Sequence, residues 1–242
     1  MIDQISPVQL ARMIDISAVQ AFNTVEDVVG LARVAIEQKF VAAHVLPNFV
    51  AILGDQLNGS EVLTGAPVGF PSGGSSASMK AREARELIEA GVQEMDLMIN
   101  VGRLRSGDTG YVLNDIRCVV DAAAPVPVKV ILEVHYLSDD EIKRGCELCI
   151  QAGADFVKTA TGWAPSGATL ERVELITSFV SGAIKVKASG GIRDLETVVK
   201  MCRMGVKRFG INTVAAVSIL ASCQRAHNKQ ESGGTSQDFN AA

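Results

Sequence analysis

Short apolar runs recur at residues 12–16, 40–46, 65–70, 94–100, 128–133, 155–158, 185–188 and 208–211, and the longer segments between them repeat their apolar residues at helical spacing. Thr24 with Glu26 and Asp27 behind it, Ser138 with Glu141, and Asp194 with Glu196 read as helix starts, because a short oxygen side chain can accept from the free amides of a first turn. Gly91, Gly153 and Gly205 stand just past helical segments, where a left-handed cap favours glycine. Eight strand candidates alternating with helices predict a single-domain (β/α)₈ barrel, the TIM-barrel form of the α/β class, over residues 1–226. An open doubly wound sheet usually has fewer strands and a glycine-rich dinucleotide loop, and no G-x-G-x-x-G follows the first run. Residues 227–242 are polar, include Gly233-Gly234, and are expected to form a tail without fixed structure.

Composition narrows this picture. The chain has 242 residues, 48% of them hydrophobic, which is enough for a full core. No run approaches the length of a membrane span and the N-terminus lacks the regions of a signal peptide, so a cytoplasmic protein without a membrane partner is expected. A net charge of −4 with no basic stripe argues against nucleic acid. Five cysteines, an odd number, suggest reduced thiols. Cys146 and Cys149 share one face of a predicted helix, and His44, His135 and His227 lie far apart, so no metal site is expected.

The chemistry lies in the polar residues inside the apolar runs. A lone lysine at a strand end commonly buries its stem and keeps its head in water. Here Lys158 ends the run Asp155-Phe156-Val157-Lys158 before Thr159-Ala160-Thr161-Gly162, Lys187 sits before Ala188-Ser189-Gly190-Gly191, and Asp96 lies within Glu94-Met95-Asp96-Leu97-Met98. On a barrel, Asp96, Glu133, Lys158 and Lys187 fall toward the C-terminal ends of the fourth to seventh strands, where such folds build their sites. Period-two alternation places Asp96, Met98 and Asn100 on one face of the fourth run, and Lys129, Ile131 and Glu133 on one face of the fifth. Lys129 and Glu133 are then either a buried ionic network that orients the reactive lysine or groups with a direct role.

Several long motifs in order, Glu94 to Gly102, Lys129 to Glu133, Gly153 to Gly162, Val186 to Arg193 and Arg208-Phe209-Gly210, resemble the deoxyribose-phosphate aldolase family, class I aldolases on a (β/α)₈ barrel. The resemblance runs from about residue 12 to 220. It implies reversible cleavage of 2-deoxy-D-ribose 5-phosphate to D-glyceraldehyde 3-phosphate and acetaldehyde, with no cofactor, Lys158 as the Schiff-base lysine, Lys187 as the second lysine that perturbs it, and Asp96 as the carboxylate assisting proton transfer. A sugar phosphate is the implied partner, and a homo-oligomer is compatible with it. Gly190 and Gly191, with Asn212 and Thr213 after the eighth strand, are the expected phosphate cradle, and Asp15, Ser17 and Thr161 the expected substrate-facing residues. Asn212-Thr213 replaces the family's usual Ser-Ser pair, Trp163 stands where some relatives have a lysine, and His44 replaces a cysteine common on the second strand. These departures bear on substrate preference, so a class I aldolase for a related phosphorylated or carboxylated substrate is the alternative, and a sugar-phosphate-binding barrel without catalysis a further one.

The chemistry asks for the same residue types. An imine accepts the electrons of a breaking carbon–carbon bond, but its amine must first be neutral. Lowering a lysine from about 10.4 to about 7.5 takes roughly 4 kcal/mol. A second ammonium about 4 Å away at an effective dielectric near 20 would supply about that much, which makes the charge of Lys187 the expected cause.

Overall fold

All eight predicted strands form, and their pairing closes a barrel. The structure is a computed structural model that describes residues 5–233. The strands β1 (Ile14–Ala18), β2 (Ala42–Val45), β3 (Leu63–Val68), β4 (Glu94–Met98), β5 (Val128–Ile131), β6 (Phe156–Lys158), β7 (Lys185–Ser189) and β8 (Arg208–Gly210) run parallel in chain order, and β8 pairs back to β1. A short helix α1 (Pro7–Ala11) precedes β1. The connecting helices are α2 (Val25–Glu37), α3 (Val50–Leu57), α4 (Ala77–Glu89), α5 (Val101–Arg105), α6 (Thr109–Ala123), α7 (Asp139–Ala152), α8 (Leu170–Val180), α9 (Leu195–Arg203) and α10 (Thr213–Gly233).

The three predicted helix starts are made by the predicted groups. Thr24 and Ser138 each complete a reciprocal capping box, with Asp27 and Glu141 respectively, and the Asp194 carboxylate accepts from the Thr197 amide. Gly153 ends α7 at φ 78°, a left-handed conformation that a side chain would strain, and Gly91 and Gly205 follow α4 and α9 in the same region.

Two expectations need correction. The last helix continues through residue 233, so the first part of the tail expected to lack fixed structure is helical. Each further residue of a formed helix needs only propagation, and Gln224, Arg225, Ala226 and Lys229 are good helix formers. Residues 234–242 lie outside the described ones. The strand ends also differ. β4 stops at Met98, and Asn100 caps α5 by accepting from the Arg103 amide instead of continuing the face of Asp96. β5 stops at Ile131, and Glu133 takes a left-handed backbone at φ 57°, which removes it from the face of Lys129.

Alternation within the strands separates two environments. Ile14, Ile16, Met95, Leu97, Val130, Val157, Val186 and Phe209 belong to the apolar core. The intervening positions carry Asp15, His44, Glu94, Asp96, Lys129, Lys158 and Lys187, all buried. Barrel interiors are ordinarily filled by branched apolar residues. This one is filled by charge, and the strand register aligns it: Asp96 lies opposite Lys129, Lys158 opposite Lys187, and Lys187 opposite Arg208. Among the described residues, no helix is long and apolar enough to cross a membrane.

Candidate active site

Asp96 is the centre of the interior network. The Lys158 ammonium donates to its Oδ2 at 2.6 Å, and Lys187 donates to Oδ2 at 2.9 Å and to Oδ1 at 3.2 Å. Lys187 is also paired with Asp15 Oδ2 at 2.6 Å. A further layer supports these groups. Lys129 pairs with Glu94 at 2.8 Å and lies 3.5 Å from Asp96, while Arg208 pairs with Asp15 at 2.5 Å and with Glu94 at 3.2 Å. His44 Nε2 is 2.8 Å from Glu94 Oε1. Isolated charges at this depth would cost several kcal/mol each, and here every one has an opposite charge in contact.

Burial acts on all of these groups, but its result differs. It opposes ionisation of Asp96, yet the ammonium groups of Lys158, Lys187 and Lys129 hold that carboxyl well below the usual carboxylate range. Burial likewise opposes the charge of Lys187, and Asp15, Asp96 and Glu94 outweigh it, so Lys187 is raised and stays an ammonium. At Lys158 burial is not outweighed: it is the largest influence, Asp96 opposes it, Lys187 adds to it, and the amine falls to about 8. The charge of Lys187 therefore contributes to the lowering but is not its main cause, which corrects the expectation that the second ammonium supplies the shift. Asp15 and Asp96 sit against Lys187 and absorb much of its field.

The network opens into a cavity of about 310 Å³ lined by Asp15, His44, Asp96, Lys158 and Lys187 at its charged end. Its other wall includes Ser17, Thr161, Gly190, Gly191, Arg193 and Asn212. Gly190 and Gly191 have φ values of 91° and 87°, and the turn they form is held from both sides. The Thr159 hydroxyl donates to the Ser189 carbonyl at 2.7 Å, and the Ala168 amide donates to the Gly190 carbonyl at 2.9 Å. Next to the cavity-lining Val19 and Phe70, Trp163 donates its indole N–H to the Val19 carbonyl at 3.1 Å and meets Phe70 edge-on, with ring centroids 5.7 Å apart.

The sequence-selected residues divide by position. Asp96, Lys158, Lys187, Gly190, Gly191, Ser17, Asp15, Asn212 and Thr161 all reach the cavity. Asp15 is committed to Lys187 and Arg208, and Asn212 accepts from the Ala215 amide at the start of α10, leaving its amide N–H groups for the cavity. The Thr161 hydroxyl donates a hydrogen bond to Glu133 and accepts from the Trp163 amide, so Glu133 braces the loop after β6 and makes no pair with Lys129. Thr213 is the first residue of α10 and does not line the cavity. His44, Glu94, Arg208 and Arg193 were not selected. The first three complete the ionic network, and Arg193 lines the cavity.

Asp15, His44 and Glu94 bring three ligand-type atoms within 4.8 Å of one another. Their carboxylates already hold Lys187, Arg208 and Lys129 at 2.5–2.8 Å, so a divalent cation would face three positive charges. Cys146 and Cys149 are buried in α7, and burial pushes the Cys146 thiol up to about 12, opposite to what a reactive pair needs.

Comparison with known proteins gives the same grouping. The chain is 55% identical over 220 residues to a deoxyribose-phosphate aldolase of Sinorhizobium medicae, covering 90% of this chain and 89% of that one, and 46% identical over 220 residues to one of Klebsiella pneumoniae, covering 90% and 88%. Among solved structures, the tetrameric deoxyribose phosphate aldolase from Aeropyrum pernix superposes with a TM-score of 0.82 at 30% identity over 90% of this chain and 92% of that one. The aldolase QR15 superposes at 0.85 with 35% identity, covering 95% and 99%. The family model for DeoC/LacD family aldolases matches residues 8–224, and the chain belongs to that family of aldehyde-lyases.

Proposed function

We propose that the protein reversibly cleaves 2-deoxy-D-ribose 5-phosphate to D-glyceraldehyde 3-phosphate and acetaldehyde through a Schiff base on Lys158. The observation that carries this reading is the Lys158 amine itself: buried, lowered to about 8, and lining the cavity beside Asp96 and Lys187. A lysine near 8 is partly neutral at physiological pH and can attack the sugar carbonyl. The carbinolamine loses water to give an iminium. The substrate hydroxyl then passes its proton to Asp96, directly or through a water, the adjacent carbon–carbon bond breaks, and the electron pair moves to the iminium nitrogen, leaving an enamine. Protonation of the enamine carbon and hydrolysis release acetaldehyde and restore the amine. Lys187, kept charged by Asp15 and Asp96, supports the negative charge that develops on substrate oxygens.

The backbone amides of Gly190 and Gly191, the Arg193 guanidinium and the Asn212 amide suit the phosphate, with Arg193 in place of the charge that Trp163 does not supply. Ser17 suits a sugar hydroxyl. A cytoplasmic sugar phosphate as substrate, and an assembly of identical chains as in the Aeropyrum protein, belong to the same reading. The test is incubation with acetaldehyde and borohydride followed by peptide mapping. One two-carbon unit on Lys158 is the expected result, and labelling of Lys187 or Lys129 instead would overturn the assignment. The phosphate arm is read from kcat/KM for 2-deoxyribose with and without its phosphate, since lost remote binding lowers turnover as well as affinity. Equal values would remove the proposed cradle.

A further inference from the structure

His44 is the buried titratable side chain of the cavity that the reaction above leaves without a task. Its ring lies over β3, where the register places it beside Gly65. A Cβ on Gly65 would come within 2.3 Å of the imidazole, so the flat seat for the ring exists because that strand has no side chain there. Nε2 meets Glu94 at 2.8 Å, so this nitrogen donates to the carboxylate and Nδ1 is the ring nitrogen turned toward Asp96. Nδ1 has no hydrogen-bond partner among the described residues and lies 3.8 Å from Asp96 Oδ2.

We propose, building on the aldolase reading, that His44 is the proton store of this site, its Nδ1 holding through Asp96 the proton that the substrate hydroxyl gives up and returning it to the enamine carbon. The charge balance supports this. Asp15, Glu94 and Asp96 are matched by Lys129, Lys187 and Arg208, so the network is neutral when Lys158 and His44 are both uncharged. Iminium formation adds one positive charge. In the cleavage step the hydroxyl proton passes by Asp96 to Nδ1, the carbon–carbon bond breaks, and its electron pair neutralises the iminium nitrogen. The positive charge has then moved from Lys158 to the imidazole, and the total is unchanged. Delivery of the same proton to carbon reverses the transfer.

Asp96 is a poor place for that proton to rest, because its lysine neighbours hold it firmly as a carboxylate. The imidazolium would face Glu94 and Asp96 from β4 and Asp15 from β1, at 2.8, 3.8 and 3.6 Å, with Lys129 on β5, Lys158 on β6, Lys187 on β7 and Arg208 on β8 each drawn onto those same carboxylates. His44 touches no substrate atom in this scheme and acts through Asp96.

The test separates imine formation from carbon protonation. Wild type and His44→Gln, whose amide can keep the Glu94 contact, are compared for borohydride trapping of acetaldehyde and for exchange of acetaldehyde methyl protons with D₂O across pH. The glutamine variant should trap acetaldehyde on Lys158 as wild type does, while its exchange falls by about 10²-fold or more and loses its dependence on an imidazole. Exchange within a few-fold of wild type, or trapping that falls in step with exchange, would overturn the proposal. His44→Asn, with no ring over Gly65, provides the same readout if the glutamine variant does not fold. A wild type that traps nothing would overturn the aldolase chemistry itself, and this role with it.

Discussion

The protein buries two separate ionic assemblies, and they behave differently. Lys80 of α4 and Asp115 of α6 form a pair at 2.6 Å, both side chains wholly inaccessible, with Lys80 also donating to the Met98 carbonyl at 2.9 Å and Glu83 a weaker charge nearby. Burial, only partly opposed by the partner, pushes Lys80 down and Asp115 up, each toward its neutral form. In the barrel the desolvation is as severe, yet Asp15 and Asp96 move down and Lys187 moves up. The number of opposite charges in reach accounts for the difference. Lys187 has two carboxylates in contact, and Asp96 has two ammonium groups with a third nearby. Lys158 is the barrel's counterpart of Lys80, with one carboxylate that it must share, and it too is lowered. A lysine is thus held below its usual value by giving it fewer partners than its neighbours.

The most severe test of this comparison replaces each single-partner lysine. Lys158→Leu should lower turnover by at least about 10⁴-fold, as expected when a nucleophile is removed, while Asp96 keeps Lys187 and the melting temperature does not fall. Lys80→Met leaves a wholly buried carboxyl without its cation and should cost about 3–5 kcal/mol in denaturant unfolding, with a Lys80→Met, Asp115→Leu double variant recovering much of that loss. An equally large stability loss in Lys158→Leu would mean that Lys187 and Lys129 do not compensate Asp96 once Lys158 is gone.

A smaller effect concerns the pH at which trapping begins. In wild type the acidic limb should lie near 8, with the amine available above it. Asp96→Asn removes the one carboxylate in contact with Lys158 and should move the limb down. Lys187→Leu removes a positive neighbour and leaves Asp96 more fully to Lys158, so the limb should move up and imine formation at pH 7 should slow, recovering as pH is raised. An unmoved limb in Lys187→Leu would assign the whole shift to burial. The smallest effect is on stability. Because Lys158 is lowered on folding, the unfolded chain binds more protons between about 8 and the ordinary lysine value of 10.5, and stability contributed by this group rises with pH across that window. Comparing wild type with Lys158→Leu isolates that slope, which should be flatter in the variant.

The barrel was legible because its signals are local: strand-length apolar runs, capping oxygens at Thr24, Ser138 and Asp194, and glycine after α7. Asp96, Lys158 and Lys187 were legible because a charge within an apolar run must be compensated by something. The partners were harder to read. His44 stood out only as a replacement for a cysteine on the second strand, and its setting depends on Gly65 across a strand pair, a register that one sequence does not display. Glu133 and Asn100 were misplaced because each strand ended two residues before the alternation was expected to stop, and a left-handed residue or a helix cap then redirects the side chain. Thr213 was grouped with the phosphate residues by position after β8, but the helix begins there and takes it away from the cavity.

The indole beside the cavity has a practical consequence. Trp163 is the single tryptophan of the chain, 41% exposed, held to the loop after β1 through Val19 and resting edge-on against Phe70, which itself lines the cavity. Its emission therefore comes from one known place beside the cavity, without interference from a second indole. A ligand that displaces water from that place or shifts either loop will change the colour or intensity of the light, so the protein carries its own optical gauge of occupancy, usable in stopped flow without a label.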